Sequence, residues 1–341
     1  MPSGVMNLHD YAKLFDPKGE KYAVARVLDQ TNPIVRDAII IESNSDSGHE
    51  YAIQTGLPNA TFRRAYQGVQ PSKASQTVVK EVYGRMSAVS EVDVAIAEKG
   101  GKISEVRAED QRNQLEAMNQ EYASKFFYGS AKDDEKAFVG YEARYNKLSG
   151  AKSADNVVSN GGSTPNKQSS INLIGWGRGK IFTFFPKGTQ AGIKIYDYSK
   201  NGPIDLQDAN GGTYPGYKKQ MEWLVGLAVQ DWRYGARVCN IETSAITTVD
   251  HCKALFNNFI KAVGRIHNPD LVNLVAYTTR EVRDKLRTGF LASGGTAAPW
   301  VVQNNKLTTT GLPVYGYHDL VIDGIHVKVC DALKDTEAVV A

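Results

Sequence analysis

The sequence is poor in the groups with which proteins do chemistry. Its 341 residues hold only three cysteines, Cys239, Cys252 and Cys330. The odd number and the lack of CxxC spacing argue against a disulfide framework or a zinc site, and predict small, packed, reduced thiols in a cytoplasmic compartment. The histidines His9, His49, His251, His267, His318 and His326 are scattered, with no HExxH and no helical pair to hold a metal. No run of about 20 apolar residues is present to span a bilayer. The opening MPSGVMNLHDYAKLF has no apolar core before a cleavage site, so export is not expected. The nearest approach to a phosphate loop, GWGRGKI at Gly175 to Ile181, lacks the four residues between glycines and the Ser or Thr after lysine, and reads as a turn between strands. His251 and Cys252 are neighbours, which on a helix point about 100° apart, and so do not form a nucleophile and its base. Asp133, Asp134 and Glu135 read as a solvated turn. No catalytic, cofactor-binding or metal-binding residue is assigned, and an enzyme ranks last among the readings.

What is present is an ordinary globular balance, 42% apolar and 23% charged, on a chain long enough for two domains or for one with large excursions. The net charge of +3 is too small for wholesale neutralisation of phosphates. Local asymmetry says more. Tyr51 to Lys80 is thirty residues with four bases and no acid. Ser104 to Ser124 then holds five acids, Glu105, Glu109, Asp110, Glu116 and Glu121, against Arg107 and Arg112.

Hydrophobic periodicity predicts a mixed α+β chain. Helical spacing at Tyr22, Val24, Val27 and Leu28 ends at the turn signal Thr31-Asn32-Pro33; IVRDAIIIE reads as a strand, SNSDSGHE as a polar turn and YAIQT as a second strand. Thr77 to Asp93 reads as one strand with Val78, Val82, Met86, Ala88 and Val92 on one face, about 55 Å long unless Gly84 marks a bend or bulge. Ser104 to Tyr128 is the clearest helix, with Leu115, Met118, Tyr122 and Phe126 in a narrow stripe and a stop at Gly129. Strand-like runs follow from Ile171 to Ile241. TTVDHCKALFNNFIKAVGRIHNP is a helix with Val249, Cys252, Leu255, Phe256, Phe259, Ile260 and Val263 on one face. LVNLVAYTT is a buried strand, REVRDKLRTGFLAS a second helix, and the tail from Leu312 gives two or three more strands.

Two long arms joined by a loop poor in apolar groups cannot build a core alone, since an isolated hairpin is marginal in water. The acid-free loop could grip a nucleic-acid strand through Phe62 and Tyr66 beside Arg63 and Arg64. The stronger reading places it across the acidic helix of an adjacent copy, with apolar contact through Leu57, Phe62, Tyr66 and Val69. Exposed ion pairs contribute only about 0 to 1 kcal/mol each, so Arg63, Arg64 and Lys73 would set register against Glu105, Glu109, Asp110, Glu116 and Glu121. A surface repeated head to tail generates rings and shells.

Several long segments in order resemble one family: TNPIVRDAIIIE, QTGLPNATFRRAYQGVQPSK, the strand ending SEVD, EDQRNQLEAMNQEYASKFFYG, LVGLAVQDWRYGARVCNIE and GIHVKVCDALKDTEAVV. From about Ala23 to its end the chain resembles the major capsid proteins of tailed bacteriophages, in particular those of short-tailed phages of the epsilon-fifteen kind. The resemblance implies the Hong Kong 97-type capsid fold. It implies an N-terminal arm over 1–35, an extended loop over 36–93, and a peripheral domain from 94–145 and 310–341 with its spine helix at 104–128. An axial domain follows over 146–309, with a β-rich insertion at 150–217. It further implies hexamers and pentamers closing an icosahedral head around double-stranded DNA, held by non-specific contact, with portal, scaffolding and cementing proteins as partners. Because the chain starts almost at its arm, a separate scaffold or none is expected. No membrane, small-molecule substrate or cofactor is implied; the protein would reside in the virion, and in the host cytoplasm during assembly. The alternative is a nucleic-acid-binding or capsid decoration module.

Overall fold

The computed structural model describes residues 30–98, 102–130, 134, 136–208, 210–293 and 320–341. The expected helical spacing around Tyr22 to Leu28, His9, His318, Asp133, Glu135 and the tail before Leu320 lie outside the described residues. In chain order the strands are β1 (Ile40–Glu42), β2 (His49–Gly56), β3 (Ser75–Glu81), β4 (Gly84–Asp93), β5 (Val157–Ser159), β6 (Ser169–Trp176), β7 (Ile181–Phe185), β8 (Ile193–Asp197), β9 (Ile204–Gln207), β10 (Thr213–Val229), β11 (Gly235–Ile241), β12 (Asn273–Thr278), β13 (Leu320–Ile322) and β14 (Ile325–Val329). The helices are α1 (Ile34–Asp37), α2 (Val94–Ala97), α3 (Ile103–Tyr128), α4 (Tyr141–Arg144), α5 (Val249–Gly264) and α6 (Arg280–Ala292). The class is α+β, as the periodicity implies.

The long strand β10 ties the molecule together. At its start it pairs antiparallel with β4 over Gly216 to Val225, while its other edge takes β9 and then β8; at its end Gly226 to Val229 pair with β7. Alternate residues point to opposite faces, so Tyr217, Met221, Trp223 and Val225 form one buried row. α3 lies over that row. Tyr122 stacks on Trp223 with centroids 4.5 Å apart, and Arg107 sits over the Tyr217 ring while pairing with Asp197 at 2.9 Å. With 26 residues α3 is about 39 Å long. Met118, Tyr122 and Phe126 are buried as the stripe requires, with Leu115 half-buried at its edge.

A second layer is built on β6, β11, β12 and β14, where α5 and α6 cover Ile171, Leu173, Val238, Ala276 and Val327. Thr248 and Thr279 cap these helices by accepting from the amides of His251 and Val282. The helices cross so closely at Gly289 that a Cβ there would stand 2.0 Å from the Cys252 carbonyl oxygen. Cys252, Leu255 and Phe259 are buried, but Val249, expected on the same face, is 51% exposed because it opens the helix before the packing layer begins.

The structure differs from the sequence reading in two further places. IVRDAIIIE is the turn of α1 followed by β1, because Pro33 presets the first helical dihedral and its carbonyl accepts from Arg36 at 3.1 Å. The expected single strand from Thr77 to Asp93 breaks at Val82 and Tyr83, where its partner changes from β2 to β10; Val78 and Val82 are exposed while Met86, Ala88 and Val92 face the core. Within 150–217, β5, β6 and β7 are woven into the main sheet, and β8 and β9 hang on the outer edge of β10. The C-terminal segment divides between the two layers. Leu320, Ile322, Ile325 and Val327 pack in the α5–α6 layer, and only Cys330, Leu333 and Val340 return to the α3 core.

Candidate assembly interface

β2 and β3 form a ribbon of their own, paired in register from His49 opposite Glu81 to Gln54 opposite Gln76. At its root, Tyr51, Ile53 and Val79 pack on Phe182, Phe184 and Ala228. His49 lies edge-on to Phe182 at 5.2 Å; burial holds its imidazole pKa below the ordinary value, with Glu81 opposing. Every residue from Leu57 to Val78 is exposed. Leu57 is 78% exposed and Phe62 and Tyr66 fully so, with Val69 at 50%. Such a run of bare apolar side chains is uncommon on a free-standing protein.

The tip is nonetheless shaped. The Gln67 amide donates to the Arg64 carbonyl (3.2 Å), the Arg64 amide to the Gln67 side-chain oxygen (3.1 Å), and Arg63 Nη1 to the Gln67 carbonyl (3.3 Å). Tyr66 closes this turn at φ +67°, a left-handed conformation that aromatic residues adopt at a cost. Lower down, the Ser72 hydroxyl clasps both the amide and the carbonyl of Asn59 at 2.8 and 3.2 Å. Phe62, Arg63, Arg64 and Tyr66 are thus presented together on one turn, with Leu57, Val69 and Lys73 along the limbs.

The five acids of α3 are not brought together in this way. Glu105 and Glu121 are exposed, with the exposed Arg112 between them. Glu116 is half-buried and accepts from the Gln30 amide (3.1 Å) and Gln120 Nε2 (2.8 Å). Asp110 is half-buried; burial raises its carboxyl pKa, and a Ser90 hydrogen bond pulls the other way. Glu109 is only 4% exposed and is therefore withdrawn from any neighbour. The two exposed carboxylates, Glu105 and Glu121, stand about 24 Å apart along the helix axis.

Two buried ionic clusters escaped the sequence reading. At the ribbon root, Glu81 takes a two-point contact from Arg144, Nη1 to Oε1 at 2.5 Å and Nη2 to Oε2 at 2.8 Å. The Tyr51 hydroxyl lies 2.9 Å from both Glu81 Oε1 and the Val229 carbonyl. Burial works against the Arg144 charge, yet the Glu81 carboxylate outweighs it and the guanidinium pKa stands above its ordinary value. Burial also pushes the Tyr51 phenol up. The only hint in sequence is that Glu81 ends the acid-free run.

The second cluster holds the C-terminal segment. Arg237 Nη2 meets Glu142 Oε2 at 2.5 Å and Glu337 Oε2 at 2.9 Å. Asn172 donates to Glu142 (2.7 Å), and Ser170 and Tyr128 donate to Glu337 (2.5 and 2.8 Å). Burial, then repulsion from Glu337 against the pull of Arg237, pushes the Glu142 carboxyl up to about 8. Among the described residues no group of three or more His, Cys, Asp or Glu is placed to hold a metal, and no helix is long and apolar enough to cross a membrane.

A family model described as major capsid protein GP7 matches residues 16–341. No curated protein matches the sequence. Among solved structures, the chain is similar to one from bacteriophage Epsilon15, at 23% identity and a TM-score of 0.76, covering 100% of this chain and 99% of that one. The bacteriophage JBD30 capsid overlaps at a TM-score of 0.47 and 8% identity, over 79% of this chain and 86% of that one. That second likeness is too slight to argue from.

Proposed function

The chain belongs to the major capsid protein GP7 family, and from that premise we propose how it builds its shell. It is a structural capsid protein of a phage virion, with the Hong Kong 97-type fold and self-assembly as its activity. In the proposal, the β2–β3 ribbon is the extended loop, and it lies across a neighbouring copy so that Leu57, Phe62, Tyr66 and Val69 find apolar cover. Arg63, Arg64 and Lys73 then set register against the neighbour's α3, where Glu105 and Glu121 are the acids open to them. α3 with β4, β8, β9 and β10 forms the peripheral domain; the α5–α6 layer forms the axial domain. Copies join as hexamers and pentamers into an icosahedral head around double-stranded DNA, contacted without sequence preference. Portal, scaffolding and cementing proteins complete it, and assembly takes place in the host cytoplasm.

The observation that carries this is the bare stretch from Leu57 to Val78, ordered by its own turn yet covered by nothing among the described residues of its own chain. The alternative of a nucleic-acid-binding or decoration module is not favoured by the family match. Electron microscopy of the overexpressed protein should show rings or particles. Reversing charge with Arg63→Glu and Arg64→Glu should abolish them while leaving the far-ultraviolet circular dichroism of the subunit unchanged, because both side chains stand in solvent. Normal particles from the double variant would remove the arginines from the interface.

A further inference from the structure

Among the described residues, the ribbon and the body share no hydrogen-bonded ladder. β3 pairs only with β2, and two residues after its end the chain enters β4, which pairs with β10. The angle between ribbon and body is therefore decided by what crosses the junction at Val82 and Tyr83. One single-point hydrogen bond crosses it, from the Tyr51 hydroxyl to the Val229 carbonyl at 2.9 Å, and apolar packing does, from Tyr51, Ile53 and Val79 to Phe182, Phe184 and Ala228. Such packing holds surfaces together without fixing direction. The contact of Arg144 with Glu81 does fix direction, because a planar guanidinium meets a carboxylate at two points.

Arg144 is itself held on the body side. Its Nη2 also donates to the carbonyls of Val139 and Leu227, each at 3.3 Å. α4, which carries it, follows directly on Gly140, whose amide donates to the carbonyl of Gly129 at the end of α3 (2.8 Å). On the ribbon side, Gly48 packs its backbone so tightly on Glu81 that a Cβ would stand 2.1 Å from the Glu81 carbonyl oxygen. The last residue of the ribbon is thus gripped by its side chain from the body and by its main chain from the turn before β2.

We propose that Glu81 and Arg144 are positioning residues for assembly: their two-point contact sets the angle at which the extended loop leaves the body, and so where its tip meets the neighbour. This rests on the reading that the loop reaches another copy. Removing one partner would leave a buried charge uncompensated and endanger folding. The informative variant is therefore Glu81→Met with Arg144→Met, which fills the same space with apolar atoms.

The test is made on unassembled subunits with spin labels at Ala74→Cys and Lys152→Cys, both exposed, while Cys239, Cys252 and Cys330 are buried. Double electron–electron resonance should give one narrow distance distribution in the parent and one broadened by about twofold or more in the paired Met variant. Arg144→Lys, which keeps the charge but loses the fork, should fall between them. Particle yield, counted by electron microscopy, should drop about tenfold with the pair removed, at unchanged helix content. A distribution as narrow as the parent's overturns the proposal, as does a single Arg144→Lys indistinguishable from it. A loosened loop that still builds particles at parental yield leaves the junction as described but overturns its part in assembly, and with it the reading that the loop must meet a neighbour.

Discussion

The Glu142–Arg237–Glu337 cluster predicts that the isolated subunit loses stability as pH rises through neutrality. Two carboxylates share one guanidinium in a buried site, so the electrically neutral arrangement holds one proton. Glu142 carries it, with a pKa pushed from the ordinary 4.5 up to about 8. Between those values the folded chain holds a proton that the unfolded chain has released, so unfolding free energy falls with rising pH and levels off above the folded pKa. From pH 6.5 to 8 the loss is roughly 1 to 2 kcal/mol, or about 2 °C in melting temperature for a chain of this size. The window is clean at both ends. His49, whose pKa is lowered by burial, adds stability as pH rises only up to its unfolded value near 6.5. Cys239 and Cys330, pushed up to about 11 and about 12 from 9.0, begin to matter only near pH 9. Glu142→Gln removes the proton-binding group. Its amide oxygen can face Arg237 while its NH₂ faces Asn172, whose Oδ1 has no partner in the present arrangement and can accept after an amide flip. Denaturant unfolding followed by circular dichroism from pH 6.5 to 8 should slope downward in the parent and lie flat in the variant. Equal slopes in the two would refute the placement of the proton.

Two more perturbations bear on the interface and on the helix layer. Phe62→Ala with Tyr66→Ala should leave subunit stability within about 0.5 kcal/mol, since both rings are bare in the subunit. Burying side chains of this size contributes about 1.5 to 3 kcal/mol each, so the protein concentration at which light scattering first reports particles should rise by at least about tenfold. Gly289→Ala drives a methyl into the Cys252 carbonyl and should lower subunit stability by about 1 to 3 kcal/mol in a thermal melt.

What could be read in the sequence was whatever depends on neighbours in the chain. α3 announced itself through Met118, Tyr122 and Phe126, spaced so that one narrow stripe meets β10. α5 was equally plain in Cys252, Leu255 and Phe259. The exposed tip of the β2–β3 ribbon was marked in composition, four bases and no acid over thirty residues. What could not be read depends on residues brought together by the fold. Glu142, Arg237 and Glu337 lie roughly a hundred residues apart in succession and have no shared spacing to detect. The depth of each α3 acid could not be read, because a helical net gives direction but not burial. Glu109 turned inward where α2 and β4 close over the start of the helix, and its charge was lost to any partner.

The acid-free composition also resolves a hazard that the geometry creates. A two-stranded ribbon has two free edges, each a row of unpaired amides and carbonyls on which another copy could add a strand. Ribbons of identical subunits are brought to high local concentration during assembly, where such pairing would be fatal to closure. The sequence works against it at each exposed position. Pro58 and Pro71 stand at either side of the tip and offer no amide to a partner. Arg63, Arg64 and Lys73 give every tip the same sign, so that two tips repel one another, and no acid lies between Tyr51 and Lys80 to offset the charge. The two acids of the strands lie at the end nearest the body: Glu50 pairs with Lys80 at 3.2 Å, and Glu81 is occupied by Arg144 and turned inward. A ribbon with this composition is disfavoured from pairing with its like and is left free to dock on a surface of different character; in the proposed assembly that surface is the body of the neighbouring subunit.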